Sequence, residues 1–212
     1  MRKKVILLAI LALWFAVPTF ATPQIPDVLI YRGQEYPLTV DELMEPYFAK
    51  YPELNPKPED FWMSALWRGY VAKFEIIDDQ LLLKDITVGD SENSALRKVV
   101  PGDQPLKLDW VTGLLVSMYG GNDADPYDME SLYAYEKYAI FEIAEGELKE
   151  ARHFTNKSYL KFRERQFEAF KKSAEYKPLV DKMTADGRLS QSDADANIKY
   201  QILRRTKTFL VP

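Results

Sequence analysis

The hydrophobic pattern of the chain changes its period near Phe154. Before this point, apolar and polar residues alternate in short segments separated by turn-forming residues, which is typical of strands joined as hairpins. After it, apolar residues recur every three or four positions in a segment dense in Lys, Arg and Glu, which is typical of helices. Such segregation favours an α+β fold over alternating βαβ units. We therefore predict an antiparallel sheet of hairpins, strand-rich over 27–154, that is packed by C-terminal helices over 155–205.

Three segments predict hairpins. They are residues 27–38, 70–88 and 135–154, with turns at Arg32-Gly33-Gln34, Asp78-Asp79-Gln80 and Glu145-Gly146. The second and third hairpins share the pattern F-E-I-x-acid-x-polar-L, at Phe74–Leu81 and Phe141–Leu148. Because the flanking segments do not match, we interpret this echo as one turn solution used twice in the same sheet. A gene duplication is the less favoured alternative.

Further local signals predict element boundaries in the first two-thirds. Thr39 with Glu42 matches a capping box, and Pro46 favours a regular helix that begins there after an initial turn. The alternation from Leu108 to Met118 predicts one long strand.

Caps and breakers predict the helices that follow. Thr155 is a plausible N-cap, and Pro178 is expected to end or bend the helix that begins after it. Ser190 with Asp193 predicts a second cap, before a last helix that reaches about Arg205.

Residues 1–21 have the three parts of a secretory signal. Basic residues 2–4 precede an apolar stretch from Val5 to Val17, and Thr19-Phe20-Ala21 offers small residues for cleavage. The apolar stretch is shorter than the ~20 residues of a membrane span, so cleavage is favoured over a retained anchor helix. We therefore expect a single α+β domain over 22–212, periplasmic or secreted, with no membrane span after cleavage.

The absence of cysteine restricts the chemistry of the chain. It excludes disulfides, lipid attachment at a cysteine and a thiol nucleophile, and with one histidine it argues against structural zinc. Residues 1–21 hold three of the 28 basic residues and none of the 32 acidic ones, so the remainder carries a formal charge of −7. Such an acidic chain is not expected to bind nucleic acid. No glycine-rich phosphate loop is present, and no cofactor is predicted.

The second hairpin carries a family resemblance. Its first strand reads Arg68-Gly69-Tyr70-Val71-Ala72 followed by Phe74-Glu75-Ile76, and its second reads Leu83-Lys84-Asp85-Ile86 after Leu81. This pair resembles an uncharacterised family of bacterial proteins with an R-G-Y-[VI]-A-x-[FW]-E-I strand next to an L-x-L-K-D-I strand. The resemblance covers about 27–154. It implies a common sheet and brings no known reaction, ligand or catalytic residue.

Histidine and acidic residues are the remaining candidates for catalysis. His153 is the only histidine, and its strand position favours a solvated or hydrogen-bonded side chain over an acid–base role. A pair of carboxylates would suit hydrolysis of envelope or extracellular polysaccharide, with candidates Glu75, Asp78, Asp79 and Glu142. Such a hydrolase is the alternative function; surface-facing acids without a catalytic role explain the same residues.

Two acidic loops are candidates for a hard cation such as calcium. The first, residues 121–128, offers Asp123, Asp125 and Asp128 as ligands. The second, residues 184–193, resembles the later half of an EF-hand loop, but Lys182 occupies the place of the first ligand. A turn followed by a Ser190 cap explains the second loop without metal.

Aromatic residues predict a binding surface. The candidate side chains for a ligand or partner are Trp62, Trp67, Arg68, Tyr70 and Trp110. Gly69 indicates a bulge or close backbone approach, with Arg68 directed at a carboxylate of a ligand or of the fold itself. Core packing is the alternative explanation for the aromatics. We predict a non-enzymatic binding or interaction domain whose partner is a protein or carbohydrate of the cell envelope; a purely structural envelope component is a weaker alternative.

Overall fold

The computed structural model describes residues 24–40, 42–56, 63–89, 91–121 and 135–212. Within these ranges eight strands form one sheet: β1 Val28–Tyr31, β2 Gln34–Pro37, β3 Tyr70–Ile77, β4 Gln80–Val88, β5 Leu106–Lys107, β6 Gly113–Gly121, β7 Tyr135–Ala144 and β8 Glu147–Thr155. Six helices accompany it: α1 Glu45–Lys50, α2 Leu96–Val99, α3 Asn156–Phe170, α4 Tyr176–Thr184, α5 Gln191–Tyr200 and α6 Ile202–Arg205. The α+β class and the segregation near Phe154 are confirmed.

The sheet is mixed and not purely antiparallel, which corrects the predicted topology. Its strand order is β2-β1-β3-β4-β8-β7-β6, with β5 added to β4. The three hairpins are antiparallel as predicted, but β1 runs parallel to β3, with Val28 opposite Lys73 and Ile30 opposite Glu75. This pairing joins segments far apart in the sequence, so no local turn signal reveals its direction.

All three hairpins turn through two residues with positive φ. The angles are 51° and 77° at Arg32-Gly33, 48° and 60° at Asp78-Asp79, and 51° and 71° at Glu145-Gly146. Positive φ at both central residues matches the right-handed twist of the flanking strands, which is why such turns dominate tight hairpins. The second and third hairpins therefore share one turn conformation, as the favoured interpretation of the echo predicts.

The sheet closes on itself through two seams, a name we use for the two places where a single residue pair links one set of strands to the other. Gln80 of β4 pairs with Glu147 of β8, and Leu38, just after β2, pairs with Ser117 of β6. The strand set β2-β1-β3-β4 and the strand set β8-β7-β6 therefore meet at both ends within the described ranges. The first core fills the space between the two sets, with Phe74, Leu81, Leu115 and Phe141 among its buried residues.

A second core lies on the other face of β6 and β7. Alternate residues of these strands, such as Val116 and Ile140, pack there against the C-terminal helices through residues such as Phe162 and Ile198. Strands buried on both faces read as continuous apolar runs, which explains Leu114–Met118. No helix in the described ranges has the length and apolar character that crossing a bilayer requires.

Two predicted boundaries in the first two-thirds are wrong. Thr39 does not cap a helix: its hydroxyl and amide donate to the Val116 carbonyl, and α1 begins at Glu45 with Pro46 in its first turn. The strand predicted from Leu108 begins only at Gly113. The amide of Leu108 donates to the Leu81 carbonyl and that of Val111 to the Leu108 carbonyl, so the chain turns before β6 starts.

The C-terminal caps are confirmed, and the expected role of Pro178 is wrong. Thr155 with Ser158 and Ser190 with Asp193 form reciprocal capping boxes at the starts of α3 and α5. The helix that follows Thr155 ends at Phe170, and Pro178 lies in the first turn of α4, where its missing N–H leaves no helical bond unmade.

Candidate functional site

Trp67 is an exposed aromatic residue held between two buried neighbours. The side chain of Trp67 is 49% exposed, whereas Leu66 and Arg68 are 0% and 4% exposed. A 3-10 turn over Ser64–Leu66 leads into Trp67, and the Gly69 amide donates to the Leu66 carbonyl at 2.9 Å. The backbone at Trp67 is therefore fixed on both sides while its indole reaches solvent.

Arg68 finds its carboxylate within the fold. Its Nη2 lies 3.1 Å from Oδ1 of Asp27, which is also fully buried, and 3.1 Å from the Ile25 carbonyl. The same Asp27 oxygen accepts the Ala72 amide at 2.8 Å. The ion pair thus fastens the segment before β1 to the start of β3. Gly69 has φ 80°, a left-handed backbone conformation that glycine adopts without steric cost.

Arg68 and Tyr70 are therefore not surface residues, which corrects their predicted place on an exposed binding surface. Tyr70 is 3% exposed and packs its ring against Phe48 at a centroid distance of 5.4 Å. Both residues anchor the chain directly after Trp67 in the protein interior. Trp62 lies outside the described residues.

Trp67 lines a groove with a volume of about 450 Å³. The lining is mostly apolar and comes from three distant parts of the chain: Val40, Glu42 and Leu43; Val111 to Leu115; and Leu203 with Arg204. Glu42 and Arg204 are its charged residues among those described. Arg204 also donates from Nη2 to the Thr39 carbonyl at 2.9 Å, so α6 is tied to the segment that follows β2.

Trp110 lines a different groove, of about 390 Å³. Its indole Nε1 donates to the Leu43 carbonyl at 2.8 Å, and its ring stacks on Tyr47 with centroids 5.8 Å apart. Leu43 itself lines the Trp67 groove, so the two grooves share one supporting segment. Of the predicted aromatic residues that the structure describes, Trp67 and Trp110 therefore lie at two different grooves and do not converge on one.

The first candidate calcium loop, with Asp123, Asp125 and Asp128, lies outside the described residues. In the second loop, Asp186 accepts the amide of Arg188 and Asp193 accepts both the amide and the hydroxyl of Ser190. These are turn and cap interactions. Across the described ranges, no group of three or more His, Asp or Glu side chains is arranged to hold a metal ion.

The carboxylates considered for hydrolysis have structural roles in the fold. Glu75 forms an ion pair with Lys84 at 2.7 Å, Glu142 accepts the Phe209 amide at 2.8 Å, and Asp78 and Asp79 form a hairpin turn. In the Trp67 groove, Glu42 is the single carboxylate among the described lining residues. Glycoside hydrolysis needs two carboxyl groups across a cleft, and this groove offers one.

Glu147, which lies in a cluster of charges at the third hairpin, also lacks the raised pKa of a catalytic acid. Hydrogen bonds and charge from Lys149, and then from Lys107, lower the pKa of Glu147. A general acid in a glycosidase requires a raised pKa, because it must keep its proton until the reaction. The shift at Glu147 has the opposite direction.

His153 contacts a buried tyrosine. Its Nε2 lies 3.1 Å from the hydroxyl of Tyr36, and its exposed ring packs near Tyr36 and Phe141. Burial, followed by the phenol groups of Tyr119 and Tyr31, raises the pKa of Tyr36. Tyr36 therefore stays neutral at ordinary pH. Its hydroxyl is a hydrogen-bond partner of His153, which agrees with the expectation of a solvated or hydrogen-bonded histidine.

Sequence reasoning missed most of the groove around Trp67. Val40, Leu43 and Leu203 carry no chemical motif, and ordinary helix or turn patterns explain each of them. They meet only because the Leu38–Ser117 pair brings the end of β2 to β6 and because Arg204 binds Thr39. Trp67, identified by its residue type, was the one sequence signal that pointed to this surface.

Comparison of the chain with protein-family models, with curated proteins and with solved structures finds no match. The resemblance of the second hairpin to an uncharacterised bacterial family therefore stays a prediction, and function has to be inferred from the residues of this chain.

Proposed function

We propose that this chain is an exported binding domain, periplasmic or secreted, that holds an apolar segment of a partner protein in the Trp67 groove. The observation that carries the proposal is the placement of Trp67, half-exposed over an apolar groove while both of its neighbours are buried. Trp is among the residues that most often dominate binding energy at protein interfaces.

The fixed backbone at Trp67 favours binding. A residue whose backbone is already ordered loses less conformational freedom when a partner arrives, so more of its contact energy appears as affinity. The Arg68–Asp27 ion pair and the buried Leu66 provide this order. Packing alone would not require an exposed indole on a backbone that is anchored on both sides.

The lining of the groove favours a protein segment over a carbohydrate. Val and Leu residues form much of its described lining, which suits an apolar side chain in the way that an interface core does. Glu42 and Arg204 place one negative and one positive charge at the same groove, so a segment with charges of both signs beside its apolar anchor is the best match.

A crosslinking experiment tests the binding surface. A photoreactive residue replaces exposed Glu42 in the full chain, expressed in its own host, and adducts are identified by mass spectrometry. We expect a protein adduct that disappears when Trp67→Ala is added and persists with Ile77→Ala, which alters a similarly exposed apolar residue on β3.

The identified partner segment then allows a direct measurement. Trp67→Ala is expected to weaken its affinity at least about tenfold in calorimetry, as the loss of an interface anchor does. Equal adduct yields with and without Trp67, or an unchanged affinity, would overturn the proposal.

Export is tested separately. Mass spectrometry of the protein recovered from the periplasm or the medium should show a chain that begins at Thr22. Recovery of the uncleaved chain from the cytoplasm alone would contradict export while leaving the groove measurement valid.

A further inference from the structure

The Trp110 groove contains a connected set of aromatic rings that the proposed function does not use. Tyr47 lies 5.8 Å from Trp110 with an angle of 23° between the ring planes, and 5.1 Å from Tyr51. All three rings line the same groove and are partly exposed. They form one aromatic surface of three side chains.

The polar atoms of two of these rings are directed into the protein. Trp110 Nε1 donates to the Leu43 carbonyl at 2.8 Å, and the Tyr47 hydroxyl donates to the Val99 carbonyl at 2.9 Å. These bonds fix the ring orientations. What Trp110 and Tyr47 present to the groove is therefore carbon surface, which suits stacking and not hydrogen bonding.

Charged side chains surround this aromatic surface. Lys50, Lys107 and Asp109 line the groove, giving it two cations and one anion. Lys50 is exposed, with its ammonium 5.1 Å from the centre of the Tyr51 ring. Lys107 also pairs with Glu147 at 3.4 Å. Because Glu147 compensates the charge of Lys107, Lys50 is the lining cation that has no ion pair among the described residues.

We infer that the Trp110 groove is a binding site for an acidic saccharide. The apolar face of a sugar ring packs on the exposed carbon surface of this aromatic set, the sugar carboxylate pairs with Lys50, and Asp109 accepts hydrogen bonds from hydroxyl groups. Few other ligand classes use all three features. A proline-rich segment also docks on aromatic grooves, but it gives the ammonium group of Lys50 no anionic partner.

The test uses the purified full chain and three acidic oligosaccharides: tetragalacturonate, tetramannuronate and a muramic-acid disaccharide. The methyl ester of tetragalacturonate is the matched neutral ligand, because it keeps the ring faces and loses the charge. Binding is followed by the NMR shift of the Trp110 indole N–H and by calorimetry. We expect at least one acidic ligand to shift this resonance and to bind about tenfold more tightly than its neutral ester, with an affinity that falls as salt rises.

Variants then locate the site. Lys50→Ala changes an exposed residue and should weaken binding about five- to tenfold, whereas Lys182→Ala, an exposed lysine on α4, should leave it unchanged. Tyr51→Ala is a second variant of the site. It should also weaken binding, and it does not disturb the hydrogen bond of Trp110. Trp67→Ala should have no effect, which separates this site from the Trp67 groove.

Three outcomes would overturn the inference. They are no binding of any acidic saccharide at ~1 mM, equal affinity for the ester and the acid, and unchanged affinity in Lys50→Ala. A proline-rich decapeptide that shifts the Trp110 resonance when no saccharide does would assign the groove to protein recognition instead.

Discussion

Leu81 and Leu148 occupy equivalent places in two hairpins, and the backbone amide of each donates to the turn of the other hairpin. Leu81 binds the Gly146 carbonyl at 2.9 Å, and Leu148 binds the Asp79 carbonyl at 2.7 Å. The two bonds flank the Gln80–Glu147 pair. Residues related by the F-E-I echo thus exchange equivalent bonds, so the seam between β4 and β8 has local two-fold symmetry. It explains why one turn solution appears twice in the sequence.

The geometry of this seam predicts that a side chain at position 146 in place of Gly146 strongly destabilises the fold. A Cβ at this position would lie 2.6 Å from the Leu108 carbonyl oxygen, and φ is +71°. Gly146→Ala should therefore lower the free energy of unfolding by roughly 2–4 kcal/mol, measured by urea denaturation.

The matched control is Gly33→Ala in the first hairpin turn. Its φ is +77°, but no atom lies within 4 Å of the added Cβ, so only the conformational cost of about 1 kcal/mol is expected. Equal losses in the two variants would show that the Leu108 contact is unimportant.

The Asp27–Arg68 ion pair predicts a large effect of removing one partner. Arg68→Met leaves the Asp27 carboxylate without its buried cation and should cost about 3–5 kcal/mol. Asp27→Asn added to this variant keeps an acceptor for the Ala72 amide and removes the charge, so the double variant should be the more stable of the two.

Lys73→Met supplies the control, because the Lys73–Glu35 pair is exposed and should contribute less than about 1 kcal/mol. Thermal and urea unfolding of all variants provide the comparison. A loss at Arg68 as small as the loss at Lys73 would contradict a structural role for the buried pair.

The hydrogen bonds of Gln166 predict how much this residue stabilises the packing of the C-terminal segment. This fully buried amide donates to the Thr206 hydroxyl and the Thr208 carbonyl and accepts the Leu210 amide at 3.0 Å. Gln166→Leu removes the partner of the Thr208 carbonyl and the Leu210 amide and should cost about 2–3 kcal/mol, while the Thr206 hydroxyl keeps its bond to the Ile202 carbonyl. Limited proteolysis should also release the last residues sooner. Gln104→Ala, at an exposed loop position, should change neither readout.

The α5 cap predicts a pH dependence. Hydrogen bonds from the hydroxyl and then the amide of Ser190 lower the pKa of Asp193. A lowered pKa in the folded state means that this cap stabilises the fold above the unfolded pKa of about 4, and that the contribution is lost as the pH falls through the folded-state value.

NMR titration of the Asp193 carboxyl group measures this effect. In Ser190→Ala the pKa should rise towards its ordinary value, whereas Ser91→Ala, a serine in a distant loop, should leave it unchanged. An Asp193 pKa that does not respond to Ser190→Ala would mean that the cap does not form in solution.

Local features of the sequence predicted those parts of the fold that depend on local interactions. Two-residue turns and capping boxes bring together residues a few positions apart, so the hairpins, Thr155 and Ser190 were identified correctly. Thr39 was misassigned because its competing partner, the Val116 carbonyl, lies in a distant strand. The parallel direction of the β1–β3 pair was not predicted for the same reason, because the two strands are far apart in the sequence.

The candidate site was predictable only in part for the same reason. Trp67 and Trp110 were identified from residue type, but whether an aromatic residue is exposed depends on neighbours far away in the sequence. Arg68 illustrates the limit: its need for a carboxylate was recognised, and only the fold shows that Asp27 supplies it.

The single-pair seams have a consequence for the order of folding. Each hairpin closes a loop of a few residues, whereas the Leu38–Ser117 and Gln80–Glu147 pairs close loops of many tens of residues, so loop entropy places them late. The Leu38–Ser117 pair brings Val40 and Leu43 beside β6, where they line the Trp67 groove. A partly folded chain therefore lacks this groove, which is complete only when the Leu38–Ser117 seam has closed.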